Sequence, residues 1–303
     1  MYLRAISVGY AVPGESFDAS VHSVFQSSIN LRLNKVNRLL TLTSSSEDDL
    51  PQGIRLDAPE SFTFESFQAG EPAICRDGIL YFEKNSLTVQ LSGARRWKCD
   101  LPALMFDISN PVVSTAWSLV WDALNKRQKL SESEIIAEEF FDSNESAQGR
   151  VSHKAGEAMR ELVNSTRRYE LTDTAAISAL IGLGPGLTPS GDDLLVGYMA
   201  GLWSTVRDRS EREQFISSLG KRIIRLSRMT NDISRTYLYH AVRGQVSSRL
   251  ANLTETICRA ENPERLLDIA EAAMRVGHTS GMDTVTGMLA GLMAWEGDRF
   301  FSI

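Results

Sequence analysis

The chain has 303 residues, 43% of them apolar and 23% charged, which is enough material for one large or two medium domains of an ordinary globular protein. A formal net charge of -6 argues against a nucleic-acid surface, and no apolar run approaches membrane-spanning length. The three cysteines, Cys75, Cys99 and Cys258, fall in no CxxC or Cys/His pattern, which excludes a disulfide framework and a zinc site; with no signal-like start, the expected location is the cytoplasm.

The first third reads as β-rich. Arg38 to Thr43 (RLLTLT), Ile79 to Glu83 (ILYFE) and Ser86 to Leu91 (SLTVQL) are apolar runs of strand length. Asp77-Gly78, Lys84-Asn85 and Ser92-Gly93 provide turn chemistry between and after them. ILYFE-KN-SLTVQL is predicted to be a hairpin with a two-residue turn, because Asn85 tolerates the positive φ such turns need. Ser20 to Asn30 is predicted as a short helix, and Ser44 to Asp49 (SSSEDD) as a polar loop.

Beyond Pro111 the pattern turns helical. Val112 to Asn125 spaces its apolar residues for one face and sets Trp117 and Trp121 four apart. Gln128 to Gln148 is polar and acidic, carries a capping-box pattern at Ser131 to Glu134, and reads as a helix or linker. Helical patterns follow at 152–165, 173–182 (capped by Asp173), 190–206, 211–228, 232–243, 245–258, 263–276 and 281–295. Ser165-Thr166-Arg167 reads as a solvated helix end. The expected fold is α+β: a β-rich N-terminal domain over 1–111, then an all-α helical domain over 112–303 containing an internal loop-helix repeat.

The repeat is the most informative feature. Gly182 to Trp203 reads GLGPGLTPSGDDLLVGYMAGLW, and Gly277 to Trp295 reads GHTSGMDTVTGMLAGLMAW. Ser190-Gly191 aligns with Ser280-Gly281, Asp193 with Asp283, Gly197 with Gly287, and Gly201 with Gly291. Ser190 with Asp193, and Ser280 with Asp283, have the spacing of a helix capping box, which by itself would account for all four. Asp192 is not needed for a cap, and its counterpart is Met282. Carboxylates at a helix start suit Mg²⁺, a substrate amine or proton transfer, while amides of a Gly184 to Gly191 loop suit an anion. The four-residue spacing of the helical glycines implies that the two helices cross closely, which would bring Asp192, Asp193 and Asp283 into one pocket.

Two neighbouring segments add candidates. His278, just before the second helix start, has a position that favours a neutral imidazole, and its alternative reading is a turn residue with no role. Thr230 and Asn231 either cap the helix that follows them or offer hydrogen bonds to a carbamoyl-like or carboxylate ligand, with Arg235 near by.

GLGPGLTPSGDDLLVGYMAGL together with GHTSGMDTVTGMLAGL resembles the family that includes the smaller third subunit of bacterial oxamate carbamoyltransferase. The resemblance is sharpest over Gly182 to Gly201, looser over Thr230 to His240 and Gly277 to Gly291, and faint over Val24 to Leu33 and Leu39 to Leu42. It implies a role in allantoin and purine catabolism, where oxalurate and phosphate interconvert with oxamate and carbamoyl phosphate. It also implies two larger partner subunits, one of them similar to acyl-CoA synthetases.

The expectation is therefore a subunit of a carbamoyl-transferring enzyme that binds a small anionic substrate at the two helix starts. Gly184, Gly186, Thr188, Ser190 and Gly191 would present donors to phosphate or carbamoyl phosphate, joined by Thr230, Asn231, Thr279, Ser280 and Gly281. Asp192, Asp193 and Asp283 would position a metal or the carbamoyl amine, with Mg²⁺ on Asp192 and Asp193, and His278 would move a proton. Two other readings stand beside it: a non-catalytic anion-binding or assembly subunit, and a stand-alone metal-dependent phosphate-handling enzyme. Neither nucleic acid nor membrane is expected as a partner.

Overall fold

Two units make up the chain, Met1–Cys99 and Asp100–Ile303. The computed structural model describes every residue except 15, 37, 45, 132, 141–149, 171–173, 207–208, 261 and 297–303. Asp173 and residues 141–148 of the acidic segment thus lie outside the described residues.

Strands of the first unit follow from a period of two. In β2 (Phe17–Val24) the side chains of Phe17, Ala19 and Val21 are buried, and those of Asp18, Ser20 and His22 less so. That alternation overturns the helix predicted over Ser20 to Asn30: the segment is the end of β2, a turn, and the start of β3 (Ser28–Leu33). The other strands are β1 (Tyr2–Gly9), β4 (Leu39–Thr43), β5 (Gly53–Asp57), β6 (Pro72–Arg76), β7 (Ile79–Phe82), β8 (Leu87–Gln90) and β9 (Arg95–Trp97). They bond in the order β5-β4-β3-β2-β6-β7-β8-β1, and β1 returns to pair antiparallel with β5. On its opposite edge β1 serves two strands in turn. Tyr2 to Arg4 run parallel to β8, and Ser7 to Gly9 run parallel to β9.

The expected fold class needs correction on this finding. The N-terminal unit is a closed eight-stranded barrel, which leaves no free edge between β1 and β5. Its interior is filled by Leu31, Leu42, Ile54, Leu80 and Val89, and Phe64, Phe67 and Phe82 pack there in tilted and edge-on contacts. The predicted β7–β8 hairpin is present, but its connection is Glu83 to Ser86 and the positive φ is at Ser86 rather than Asn85. The two-residue turn is instead Asp77-Gly78 between β6 and β7, where both residues have positive φ as a type I′ turn requires.

The second unit is built of helices among its described residues: α1 (Pro111–Leu130), α2 (Arg150–Arg167), α3 (Ala175–Leu180), α4 (Ser190–Trp203), α5 (Ser210–Leu226), α6 (Asp232–Ala241), α7 (Ser248–Arg259), α8 (Pro263–Met274) and α9 (Ser280–Met293). Asn110 caps α1 by accepting from the Val112 N–H at 3.0 Å, ahead of Pro111 at the first helical position. The capping box predicted at Ser131 is absent. Lys126 to Leu130 carry α1 onward, and Ser131 ends it with its hydroxyl on the Arg127 carbonyl at 2.9 Å. Thr166 is not on a solvated helix end either, since it is fully buried and meets the Tyr198 hydroxyl at 2.6 Å.

α4 and α9 are apolar on every side and buried along their lengths, so each needs neighbours all round. Their contact is backbone on backbone. A Cβ on Gly197 would sit 1.9 Å from the Thr284 carbonyl oxygen, and one on Gly287 would sit 2.0 Å from that of Leu194. Gly201 and Gly291 would meet Met288 and Tyr198 carbonyl oxygens at 2.4 and 2.3 Å. The contacts advance along both helices together, so α4 and α9 run parallel with their N-termini at one end. The expected internal loop-helix repeat is corrected as well. The likeness is limited to the helices, because α4 is entered from the six-residue α3 through the long loop up to Pro189, whereas α9 is entered from the twelve-residue α8 through a short turn.

Gly287→Ala is expected to lower stability by about 3 kcal/mol or more, since carbonyl and helix backbone would have to move apart. Gly14→Ala, which meets nothing within 4 Å, serves as the control. Thermal unfolding of both variants checks this, and equal melting temperatures would contradict the contact.

Candidate functional site

The parallel packing of α4 and α9 sets two helix starts side by side. Both contribute positive partial charge from unbonded amides, and carboxylates there offset it. The expected capping role of the Ser-x-x-Asp pairs fails, however. The cap positions are Pro189 and Thr279, neither with a side-chain cap bond, and Ser190 and Ser280 are already the first helical residues. Backbone carbonyls take over instead, Pro189 accepting from the Asp192 and Asp193 amides and Thr279 from that of Asp283. The side chains are thereby released to face each other across the seam.

The polar seam is crosswise. Ser280, on α9, and Thr188, in the loop before α4, are the hydroxyls acting on Asp193 of α4. Ser190, on α4, and Thr279, before α9, act on Asp283 of α9. Thr188 and Ser280 also bond each other at 2.7 Å, tying the loop to the second helix start. Asp283 is fully buried, and among the described residues those hydroxyls close no hydrogen bond of ordinary geometry on either of its oxygens or on Oδ2 of Asp193. Burial is the main cause that pushes the Asp283 carboxyl up to about 7, opposed by Ser190 and Thr279 and reinforced by Glu134. Burial also raises Asp193 well above the ordinary carboxylate range, with Asp283 and Asp192 adding to the shift. Repulsion between Asp193 and Asp283 is mutual, so ionising either one holds the proton on the other.

Asp192 faces a different set of partners. Its Oδ1 accepts from the Gly182 N–H at 3.0 Å and its Oδ2 from the Thr230 hydroxyl at 2.5 Å, with Ser234 also acting on it. Burial raises its carboxyl too, and these donors pull the other way. Asp192 therefore fastens the start of α4 to the Gly182 turn and to the entrance of α6. Among the described residues no three or more His, Cys, Asp or Glu side chains gather to hold a metal ion.

The loop itself is exposed from Pro185 to Leu187. Gly184 and Gly186 have φ of 100° and 96°, a conformation glycine adopts without strain, and Gly184 lies against Ser190. The Gly191 amide is already bonded to the Leu183 carbonyl at 2.9 Å, so it is not a free donor. The amides of Gly184, Gly186, Leu187 and Thr188 enter no bond among the described residues. Gly281 resembles Gly191 in donating inward, to the Val276 carbonyl at 2.9 Å.

Asn231 takes the capping role: its Oδ1 accepts from Ile233 and Ser234 at 3.0 Å, and its Nδ2 donates to the Leu187 carbonyl at 2.8 Å. Arg235 binds Asp232 at 2.8 Å and the Ser227 and Thr230 carbonyls. His278 is exposed on the turn before α9, with no bond to the aspartates among the described residues. The structure thus brings together Thr188, Ser190, Asp193, Thr279, Ser280 and Asp283, and ties Asp192 and Thr230 into a second cluster. Ser234 and Glu134 are not among the sequence candidates: Glu134 enters there only as the end of a capping-box pattern, and nothing local marks Ser234. A shallow depression of about 600 Å³ lies elsewhere, lined by Tyr169, Glu211, Gln214, Phe215, Ser218 and Arg222, and includes none of the aspartates.

Residues 180–292 match the family described as oxamate carbamoyltransferase subunit AllH, and residues 4–96 match the AllH family N-terminal domain. Together the two spans take in most of the chain, including both helix starts. No solved structure matches it.

A pH dependence follows from the raised carboxyls. Folded Asp283 keeps its proton up to about 7, whereas the unfolded chain loses it near the ordinary carboxylate value of 3.8. Between those values the folded state binds more protons, so this group's stabilisation is present at low pH and is lost as pH rises to about 7, by about 1.4 kcal/mol per unit. Asp283→Asn is expected to flatten that part of the stability–pH curve in denaturant unfolding. An unchanged slope would contradict the buried carboxyl.

Proposed function

Because the chain belongs to the AllH family of oxamate carbamoyltransferase subunits, we propose that it forms part of the substrate-binding site of that enzyme, at the starts of α4 and α9. The reaction is the reversible conversion of oxalurate and phosphate to oxamate and carbamoyl phosphate, in cytoplasmic purine and allantoin breakdown. The observation that carries the proposal is the buried Asp193–Asp283 pair, set between two parallel helix starts and beside an exposed loop whose amides enter no bond among the described residues.

The two parts suit the two halves of a carbamoyl group. A phosphate oxygen attacks the carbamoyl carbon, charge gathers on the carbonyl oxygen, and the C–N bond to oxamate breaks as its nitrogen gains the proton that phosphate gives up. Amides of Gly184, Gly186, Leu187 and Thr188 would meet the phosphate or the developing oxyanion. Asp193 and Asp283 would accept from the carbamoyl amine. Two larger subunits would supply the rest of the site. A second reading, that the chain binds an anion or holds the assembly together without catalysing, gains from Asp192, whose oxygens are already occupied by Gly182 and Thr230.

Reconstitution separates the two. Carbamoyl phosphate formation from oxalurate and phosphate is expected to require this chain beside its partner subunits, and to fall about 100-fold with Asp283→Asn. A full rate without the chain would sink the proposal. A requirement for the chain with no loss in Asp283→Asn would favour the assembly reading.

A further inference from the structure

Among the described residues no hydrogen bond of ordinary geometry closes on three carboxylate oxygens in the seam, both of Asp283 and Oδ2 of Asp193, although hydroxyls stand near enough to act on both groups. Asp283 is 0% exposed, so bulk water does not satisfy them. Native interiors rarely leave such groups alone, and a buried carboxylate without a partner marks a place for water or an ion. Among the described residues no basic side chain answers them, since no positive group is among those acting on either aspartate. The neutral side chains acting on the pair are all hydroxyls, those of Ser190, Thr279, Ser280 and Thr188. Thr188, Thr279 and Ser280 are half-buried and form its mouth.

The ligand set selects the guest. Two carboxylates and four neutral hydroxyls offer a small monovalent cation its oxygens, and the two helix starts already offset part of the negative charge. A divalent ion would lack a third acidic ligand among the described residues. We propose that the seam between α4 and α9 binds a small monovalent cation, held by Asp193, Asp283 and the hydroxyls of Thr188, Ser190, Thr279 and Ser280. A proton competes for the same oxygens, so occupancy rises with pH. The proposal concerns the free chain and does not depend on the carbamoyl-transfer reading, in which the carbamoyl amine would take the cation's place on Asp193 and Asp283.

Thermal unfolding of the full chain tests it, at about pH 8, above the value of about 7 to which the Asp283 carboxyl is pushed. The salts are sodium, potassium, ammonium and choline chloride at equal ionic strength, with choline too large for the seam, and magnesium chloride is run beside these four. At least one small cation is expected to raise the melting temperature over choline by about 3–6 °C at ten times its dissociation constant. The difference should vanish in Asp283→Asn and shrink in Ser280→Ala, which also serves if the first variant does not fold. Equal melting in all four salts overturns the proposal, as does a rise given only by magnesium. A response to pH without any response to cation identity means that the proton alone fills the seam, and overturns it too.

Discussion

The contact of α4 with α9 is the constraint on which the helical unit depends. Ordinary side chains hold helix axes 8–10 Å apart, about the reach of two interlocking rows. Glycines at four positions remove those rows, and the two backbones meet directly. Each glycine costs roughly 1 kcal/mol of helix propensity against alanine, a loss recovered only if close packing gives something back. The return is partly dispersion, from two helices that are apolar all round, and partly placement, because so close a contact fixes the two starts in register.

That register creates an electrostatic problem and its answer together. Parallel helices put like partial charges at the same end, which is unfavourable, and carboxylates at those ends relieve it. Burial then works against the same carboxylates, and it is the larger effect on Asp192, Asp193 and Asp283 alike. Asp192 is compensated by an amide and a hydroxyl. Asp193 and Asp283 have only the hydroxyls of the seam acting against burial, and this difference separates a residue that fastens the fold from a pair left open to a ligand.

Much of this was legible in the sequence, for physical reasons that differ by element. The helices from α4 to α9 show a period near 3.6 or unbroken apolarity, and their glycine spacing announced the close crossing. Strands β4, β7 and β8 were readable because turn residues bound them. Barrel closure was not, because it depends on β1 meeting β5, β8 and β9, partners remote in the chain. Residues 20–30 misled because Ser and Asn sit at both helix starts and strand turns. At the seam, Ser followed three residues later by Asp fits a cap equally well as a cross-helix pair. Only the backbone shows that Pro189 and Thr279 stand at the caps, leaving the hydroxyls to the opposite helix.

The parallel pairing also dictates an order of events during synthesis. α4 emerges from the ribosome first, apolar on every side, and α5 through α8 must follow before its partner α9 exists. Until then its glycine face has no backbone to meet, and that surface is a temptation to other chains. The non-local contact comes late and closes a long loop, which is the feature that slows folding most. A chain built this way gains from company while it is being made, whether a chaperone or a neighbouring subunit that covers the bare helix until the last one arrives.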